Sequence, residues 1–339
     1  MFYLASCSCV KNEDSYIDNF IKIHKYLGVE FFLFFDRSDN PLSNRYRGRS
    51  DIKVIPFPEP NRHADAWREG IKYLTGKTKW AQFIDIDQVT VPIKTNDIRE
   101  MLSNYENYAS LGLNWHTFGS SGIEYEPEAA TYEAYTRRAS GLSSINTHIQ
   151  SIVQPSGILP ITWDTPHSPP LKSNNLISYP PQKPKQKKEH VDFSKSEKIS
   201  HTRSNKLVFD KWGNPVHYLS NSYERPKTMQ ISNTILHSKL EYHDEKKIIK
   251  SSNKIILQNI QVNENKKKFF GPFNKPPTQN IGFIAHYYTR SREYWSNKLA
   301  KQRADTGTSY GTMSDFDMYQ NFLNEEEELR VKEIWEKCK

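Results

Sequence analysis

The sequence predicts an α/β fold with a mostly parallel, doubly wound sheet that is covered by helices on both faces. Strand-like and helix-like segments alternate from residue 1 to residue 115, and this alternation is typical of parallel strands joined by helices. Two of the strands, EFFLFFD and WAQFIDI, are nearly continuous apolar runs, as expected of strands buried on both faces. Polar clusters follow the strands, which predicts a binding crevice at one edge of the sheet.

Each element of this first half has its own signal. The first helix carries apolar residues at the i, i+3, i+4, i+7 spacing from Ile17 to Leu27, and Gly28 ends it. Asn96 or Asp97 is expected to cap the third helix. The predicted strands are FYLASCSCV, EFFLFFD, IKVIPF, WAQFIDI and ASLGLNW, and the predicted helices are SYIDNFIKIHKYLG, RHADAWREGIKYLTG and NDIREMLSNY.

The alternation weakens after residue 120. Segment 169–198 is rich in Pro and Lys, a composition that predicts a mobile loop. A hairpin that turns at Gly213 and Asn214 is predicted for KLVFDKWGNPVHYL, and strands are predicted for KKIIKSSNKIILQNIQV. Two late segments, TRSREYWSNKLAKQR and FDMYQNFLNEEEELRVKEIWEKC, are predicted to be helical.

Composition limits the partners and the setting of the protein. The 47 Lys and Arg against 39 Asp and Glu give a net charge of +8, which favours anionic partners. Nucleic acid is not expected, because the clearest basic cluster, PPQKPKQKK, has no interleaved aromatic residues. The three cysteines form no disulfide framework, and no apolar run approaches the roughly 20 residues of a membrane span. We therefore expect a cytoplasmic protein whose basic surface makes a peripheral membrane contact.

Three polar clusters, KNED, DRSDN and DIDQ, follow strands whose ends should meet in one crevice. In the third cluster, Asp85 and Asp87 are one residue apart and come after a buried strand. Such a pair can hold a divalent cation, which in turn neutralises a diphosphate. The sequence therefore predicts a site for a metal ion and a diphosphate at this pair.

The same pair leaves other functions open. The segment FIDIDQVTV fits the motif of haloacid-dehalogenase-like phosphatases, with Asp85 as the nucleophile. That class usually carries the motif on its first strand, and it needs a late acidic motif, two adjacent Asp or a Gly-Asp pair, which this sequence lacks. A non-catalytic carbohydrate-binding protein on the same fold is a further alternative, and it would be expected to have lost its metal ligands.

Four sequence blocks, in order along the chain, resemble GT-A glycosyltransferases of the family 2-like group related to glycosyltransferase family 92. They are CVKNEDSYIDNFIKIHKYLGVEFFLFFDRSDN, WAQFIDIDQ, NWHTFGSSG and AHYYTRSREYWSNKLAKQRAD. The chain departs from the family pattern where Gln88 replaces Glu, where Arg290 replaces Lys, and at Gln150 and Gln154, which stand where basic residues are common. The resemblance implies a GT-A (Rossmann-like) fold and a metal-dependent, inverting transfer of a sugar from a nucleotide sugar to a glycan or glycolipid acceptor.

The resemblance also implies a metal site and a nucleotide pocket. Asp87 would bind the cation, Asp85 would reach the ribose or a metal-bound water, and His286 would complete the metal's ligands. Because imidazole suits Mn²⁺ better than Mg²⁺, we expect Mn²⁺, with Mg²⁺ as the alternative, and a UDP-sugar as donor. The remaining residues of the nucleotide pocket would be Lys11, Asn12, Glu13, Asp36, Ser38 and Asp39.

Other residues would surround the sugar and the phosphates. Arg62 is a candidate for phosphate oxygens because a guanidinium offers a fork of donors. The sugar and acceptor floor would be formed by Trp115, Phe118, Gly119, Ser120 and Gly122. The segment that closes over the diphosphate would contribute Tyr287, Tyr288, Lys298 and Arg303.

An inverting transfer needs a carboxylate that takes a proton from the acceptor hydroxyl. Asp164 is our first candidate for this base and Glu124 our second. His167, close to Asp164, would position the acceptor or the donor phosphates.

We expect one glycosyltransferase domain over residues 1–305. Residues 1–119 would form its nucleotide-sugar-binding half. Residues 120–290 would form the irregular acceptor-side half, which contains the Pro- and Lys-rich loop. Residues 306–339 would be a C-terminal helical extension.

Overall fold

The computed structural model describes residues 1–58, 63–160, 167, 169–170, 208–209, 215–218, 261–262, 268–269, 277, 279–300 and 311–339. Its strands are β1 (Phe2–Val10), β2 (Phe31–Asp36), β3 (Ile52–Pro56), β4 (Thr78–Phe83), β5 (Gln88–Pro92), β6 (Tyr108–Phe118), β7 (Arg137–Arg138), β8 (Ile149–Val153), β9 (Val208–Phe209), β10 (Pro215–Tyr218), β11 (Gln261–Val262), β12 (Lys268–Phe269), β13 (Gly282–Tyr287) and β14 (Glu326–Glu327). Its α-helices are α1 (Ile17–Tyr26), α2 (Leu42–Arg45), α3 (His63–Leu74), α4 (Ile98–Ser103), α5 (Thr131–Ala134), α6 (Arg292–Leu299), α7 (Met313–Leu323) and α8 (Arg330–Cys338). None of these helices has the length and apolar character needed to cross a membrane.

The main sheet is largely parallel. Strands β3, β2, β1 and β4 lie side by side in that order and run in one direction. The antiparallel strand β8 separates β4 from β6, so β6 runs the same way as β4, and β13 pairs in parallel with β6. The carboxyl ends of these six parallel strands therefore share one edge of the sheet, and the predicted fold class is confirmed.

Apolar side chains cover both faces of the sheet. On β2, Phe32 and Phe34 belong to a core that also contains Phe20 of α1. Leu33 and Phe35 alternate with them and belong to a second core with residues of α3 such as Trp67. Because successive residues of a strand point to opposite faces, the unbroken apolar run of β2 supplies both cores, as the sequence predicted.

The region around the two aspartates differs from the prediction. The strand predicted for WAQFIDI ends at Phe83, so residues 84–87 form a connection between strands. It leads into β5, a strand that the sequence analysis did not predict and that pairs antiparallel with β13. The predicted cap of the following helix is Asp97, whose side chain accepts a hydrogen bond from the amide of Arg99 at 2.8 Å.

The last part of the chain joins the main core. The helix predicted over 316–338 is interrupted, because α7 ends at Leu323 and β14 then pairs with β7. In α8, Trp335 is buried, packs on Tyr132 at 5.3 Å between ring centroids, and donates through Nε1 to Glu133. The predicted hairpin is confirmed in β9 and β10, which pair with each other and extend the main sheet at β6. The predicted loop 169–198 lies almost wholly outside the described residues, as does most of the strand-like segment 246–262.

Candidate active site

The loops that follow β1 and β2 are joined directly. The side-chain amide of Asn12 donates to Asp39 at 2.8 Å and accepts from the Asp39 amide at 2.9 Å. The backbone amide of Asn12 donates to Ser38 Oγ at 3.0 Å. Asp36 accepts from the amides of Ser38 and Leu42 through its two oxygens, at 3.0 and 2.7 Å, and so fixes the start of α2. We call Asn12, Asp36, Ser38 and Asp39 the loop clip; their predicted contacts with a nucleotide stay predictions.

Asp85 and Asp87 stand in the connection between β4 and β5. Gln88 organises this connection through two hydrogen bonds. Its buried side-chain oxygen accepts from the backbone amide of Asp85 at 3.2 Å, and its backbone amide donates to the Asp85 carbonyl at 3.1 Å. The amide oxygen of Gln can make the same bond as the carboxylate of the Glu usual at this position. The side chain of Asp85 is partly exposed, and its Oδ1 lies 3.4 Å from His63 Nε2.

Strand β13 brings His286 to Asp87 from the far end of the chain. It lies between β5 and β6, in a register that places His286 opposite both Gln88 and Thr117. The amide of Tyr287 then donates to the Asp87 carbonyl at 2.9 Å. As a result, His286 Nε2 lies 3.7 Å from Asp87 Oδ2.

Two basic side chains stand close to this pair. Lys298 Nζ lies 3.8 Å from Asp87 Oδ2 and donates to the Tyr288 carbonyl at 3.3 Å. Burial would raise the pKa of Asp87, but His286, Lys298 and Arg290 lower it well below its usual range. Burial lowers the pKa of Lys298, and the charge of Asp87 offsets part of that effect. The site therefore holds Asp87 as a carboxylate, with its side chain 16% exposed.

Asp87 and His286 fit a divalent cation. Oδ1 of Asp87 is buried and has no hydrogen-bond partner among the described residues. The 3.7 Å between Oδ2 and His286 Nε2 is too long for a hydrogen bond, but it is shorter than two coordination bonds of about 2.1 Å each. In the described part of the chain, no group of three or more His, Cys, Asp or Glu side chains is arranged to hold a metal, so Asp85 is not assembled with the other two. The two side chains offer a partial set of ligands, which phosphate oxygens and water commonly complete.

An aromatic surface adjoins His286. Trp115 contacts the His286 ring edge-on at 4.4 Å and stacks on His148 at 4.6 Å, and His167 lies 5.5 Å from it on another side. Burial lowers the pKa of His148, and it lowers the pKa of His167 to about 4, so both imidazoles are neutral. His148 Nδ1 lies 3.1 Å from the Ile145 carbonyl, and His167 Nδ1 makes a similar contact, which favours a proton on Nδ1 in both rings.

Residues 119–122 contact the C-terminal part of this chain. A Cβ on Gly119 would lie 2.4 Å from Asn324 Oδ1, so only glycine fits there. The Ser120 amide donates to Gln320 at 3.0 Å, while the Gly122 amide donates to Ser120 Oγ. Phe118 is buried and stacks on Tyr287 at 4.7 Å. Among the residues predicted to form the sugar and acceptor floor, Trp115 is the one whose ring contacts His286 in the described part of the chain.

Of the two candidates for the base, only Glu124 lies within the described residues. Glu124 is 61% exposed at its side chain and pairs with Arg292 Nε at 3.0 Å. Asp164 lies outside the described residues, as do two predicted phosphate contacts, Arg62 and Arg303. The sequence analysis gave no role to His148, and none to Arg290 beyond its departure from the family pattern. Neither stands in a motif whose spacing would have marked it.

Departures from the family pattern also have structural explanations. Gln150 is buried and donates to the Phe83 carbonyl, at the end of β4. Gln154 donates to the carbonyls of Glu106 and Tyr108, at 2.8 and 2.9 Å. Both amides satisfy backbone carbonyls at or next to strand ends, a task that accounts for a neutral residue at each position.

Comparisons with known proteins were made on the sequence and on the fold. The sequence matches glycosyltransferase family 92 over residues 4–234, more than half of the chain. A glycosyltransferase family 92 protein of Ricinus communis is 22% identical over 165 residues, which cover 45% of this chain and 28% of that protein. One of Arabidopsis thaliana is 24% identical over 158 residues, covering 40% of this chain and 26% of that protein. The match therefore spans less than a third of either relative's length.

Solved structures give weaker similarities. S. aureus TarS 1–349 in complex with UDP has a TM-score of 0.29 and 11% identity, covering 48% of this chain and 52% of that one. A 4-diphosphocytidyl-2C-methyl-D-erythritol synthase has a TM-score of 0.28 and 10% identity, covering 47% of this chain and 78% of that one.

Proposed function

Because the chain belongs to glycosyltransferase family 92, we propose that it moves a sugar from a nucleoside-diphosphate sugar to a hydroxyl group of a glycan or glycolipid. The observation that carries this proposal is the pairing of Asp87 with His286, 3.7 Å apart, beside Lys298. A carboxylate with an unpartnered buried oxygen, an imidazole and an ammonium suit a metal-diphosphate complex. We propose Mn²⁺ as the metal and a UDP-sugar as the donor.

Each residue of the site has a task in this proposal. Asp87 and His286 would hold the metal, which when bound neutralises charge on the departing diphosphate. Lys298 would donate to a phosphate oxygen. Because it lies beside Asp87, its positive charge would stabilise the negative charge that develops on the departing diphosphate. Trp115, with His148 stacked on it, would present a flat apolar surface to the sugar ring.

An inverting transfer would require a base on the acceptor side. Asp164 stays our first candidate. Glu124 could serve only after release from Arg292, because its ion pair with that guanidinium blocks its approach to a hydroxyl.

The test is a calorimetric titration with UDP, GDP and dTDP, each with and without Mn²⁺. We expect metal-dependent binding of one nucleotide by the native protein and its loss in Asp87→Asn. The matched control is Asp51→Asn, which removes a carboxylate that pairs with Lys25 and Arg49 just before β3, at the opposite edge of the sheet. Absence of nucleotide binding by the native protein would refute the proposal, and phosphatase substrates would then be tested.

A further inference from the structure

Arg290 occupies an unusual position beside the site. It stands between β13 and α6, its side chain is 1% exposed, and its backbone φ is 52°. This left-handed conformation is unfavourable for a residue with a side chain. Strained backbone of this kind is common at functional sites, where the surrounding structure enforces it. Here it turns the chain between the strand that carries His286 and the helix that carries Lys298.

The guanidinium of Arg290 is buried between two tyrosine rings. It lies over the rings of Tyr16 and Tyr294, 4.0 and 4.5 Å from their centroids. Its Nε and Nη1 are buried and have no hydrogen-bond partner within the described ranges. Burying guanidinium N–H groups without acceptors is costly, and such groups in a native structure call for a ligand, ion or water. Two aromatic faces stabilise the charge, but they leave those in-plane donors unused.

The surrounding charges indicate what such a ligand would be. The charges of Glu13, Asp87 and Glu126 all act on Arg290. Glu126 already accepts hydrogen bonds from the hydroxyls of Tyr16, Tyr135 and Ser291, and Asp87 would be occupied by a cation held with His286. The unused donors of the guanidinium therefore call for another acceptor, and a negatively charged oxygen suits them best.

We propose that Arg290 is a phosphate-binding residue, whose two unpaired N–H groups take two oxygens of the diphosphate that the metal and Lys298 also contact. A planar fork of donors matches a phosphoryl group, whereas the ammonium of Lys offers only a point charge. This inference rests on the proposed function, since it assigns Arg290 to the same donor site. It also explains why Arg stands at position 290 where the family usually has Lys, since Arg can donate to two phosphate oxygens at once.

The experiment compares the nucleoside diphosphate that the native protein binds with the same nucleoside without phosphates, both titrated in the presence of Mn²⁺. For Arg290→Gln we expect the diphosphate to bind about 10- to 100-fold more weakly, the loss typical of a charged hydrogen bond, while the nucleoside binds as before. Arg290→Lys, which keeps the charge, should fall between the two. The control is Arg99→Gln, which removes a guanidinium paired with Asp97 and Glu30 at the opposite edge of the sheet.

Three outcomes would overturn the inference, and they are distinguishable. If both Arg290 variants bind the diphosphate as the native protein does, Arg290 does not contact phosphate. If diphosphate and nucleoside lose affinity equally, Arg290 only supports Tyr16 and Tyr294. If the native protein binds no nucleotide, the proposed function fails and the inference fails with it. Arg290→Lys keeps the test decisive if Arg290→Gln does not fold, as thermal unfolding of each variant would reveal.

Discussion

The two sides of the crevice use polar residues in opposite ways. In the loop clip, Asn12 and Asp39 bind each other, and both oxygens of Asp36 accept backbone amides. On the other side, buried polar atoms lack partners within the described part of the chain, and we call these four residues the unpaired cluster: Asp87, Trp115, His286 and Arg290. The difference teaches that the clip shapes the loops at this edge, and in the proposed function it is the cluster that binds the ligand.

The largest effect on nucleotide binding is expected from His286→Phe, which keeps a ring at this position but removes the nitrogen beside Asp87. We expect Mn²⁺-dependent nucleotide affinity to fall at least about 10- to 100-fold, since even residues that only support a metal ligand have effects of that size. Calorimetry with and without Mn²⁺ measures it. His116→Phe is the control, because His116 lies on β6 and stacks on Phe283 in the same sheet. An unchanged metal dependence in His286→Phe would remove His286 from the proposed site.

Asp36→Ala tests the other side of the comparison. It leaves two backbone amides without their acceptor, so we expect the free energy of unfolding to fall by about 2–6 kcal/mol, at roughly 1–3 kcal/mol for each lost partner. Urea denaturation measures this change, with Asp39→Ala as an exposed control from the same loop. Normal stability together with lost nucleotide affinity would instead make Asp36 a ligand contact, as the family resemblance implied.

His24 sharpens the comparison, because it lies on α1, away from the crevice, and packs on Phe20. Its buried Nε2 has no hydrogen-bond partner among the described residues. Burial lowers the pKa of His24 to about 4, below the roughly 6.5 of an unfolded chain. Between these values the unfolded state binds a proton that the folded state does not, so stability falls as the pH falls, by up to about 1.4 kcal/mol per pH unit.

His24→Leu should remove this component. Urea denaturation at pH 7, 6 and 5 would show the stability of the variant rising relative to the native protein as the pH falls. A difference that stays constant with pH would contradict the assignment. The expected result would show that the unpaired buried nitrogen of His24 only lowers the free energy of unfolding. An unpaired polar atom would then indicate a binding site only where several such atoms lie together.

The smallest effect is expected at Asn12, which is exposed and has a φ of 55°. Asn12→Gly loses the bonds to Asp39 but keeps the left-handed backbone at no steric cost, whereas Asn12→Ala loses the bonds and is also strained. We expect the free energy of unfolding of Asn12→Ala to be about 1 kcal/mol lower than that of Asn12→Gly. Equal stabilities in thermal unfolding would mean that the loop relaxes and that the clip is not rigid at this point.

The sequence contained enough to predict the sheet but not the pairing of its polar groups. The apolar run of β2 and the spacing of α1 depend on local periodicity, which is why those elements were predicted correctly. β5 was missed because WAQFIDI reads as one continuous strand, although the chain turns after Phe83. Gly119 was predicted to belong to a ligand surface, and its close approach to Asn324, a residue distant in the sequence, could not be predicted from its motif.

The candidate site was predictable only in part. Asp87 could be proposed from its spacing after a buried strand, and His286 only through the family resemblance. That Arg290 is buried between two tyrosines with unused donors is a property of packing, since Tyr16 and Tyr294 come from opposite ends of the chain. Composition and periodicity do not reveal whether a buried donor has an acceptor.

The position of β13 between β5 and β6 has a consequence for biosynthesis. Asp87 leaves the ribosome long before His286, and the strand that pairs with β5 in the structure is β13, which lies almost 200 residues later in the chain. Closing such a long loop is entropically costly and makes late, non-local pairing slow. The nascent protein would therefore form β1 to β4 and its clip before Asp87 and His286 meet. In the proposed function, catalysis would begin only once β13 is in place, so activity would report the completion of this late pairing.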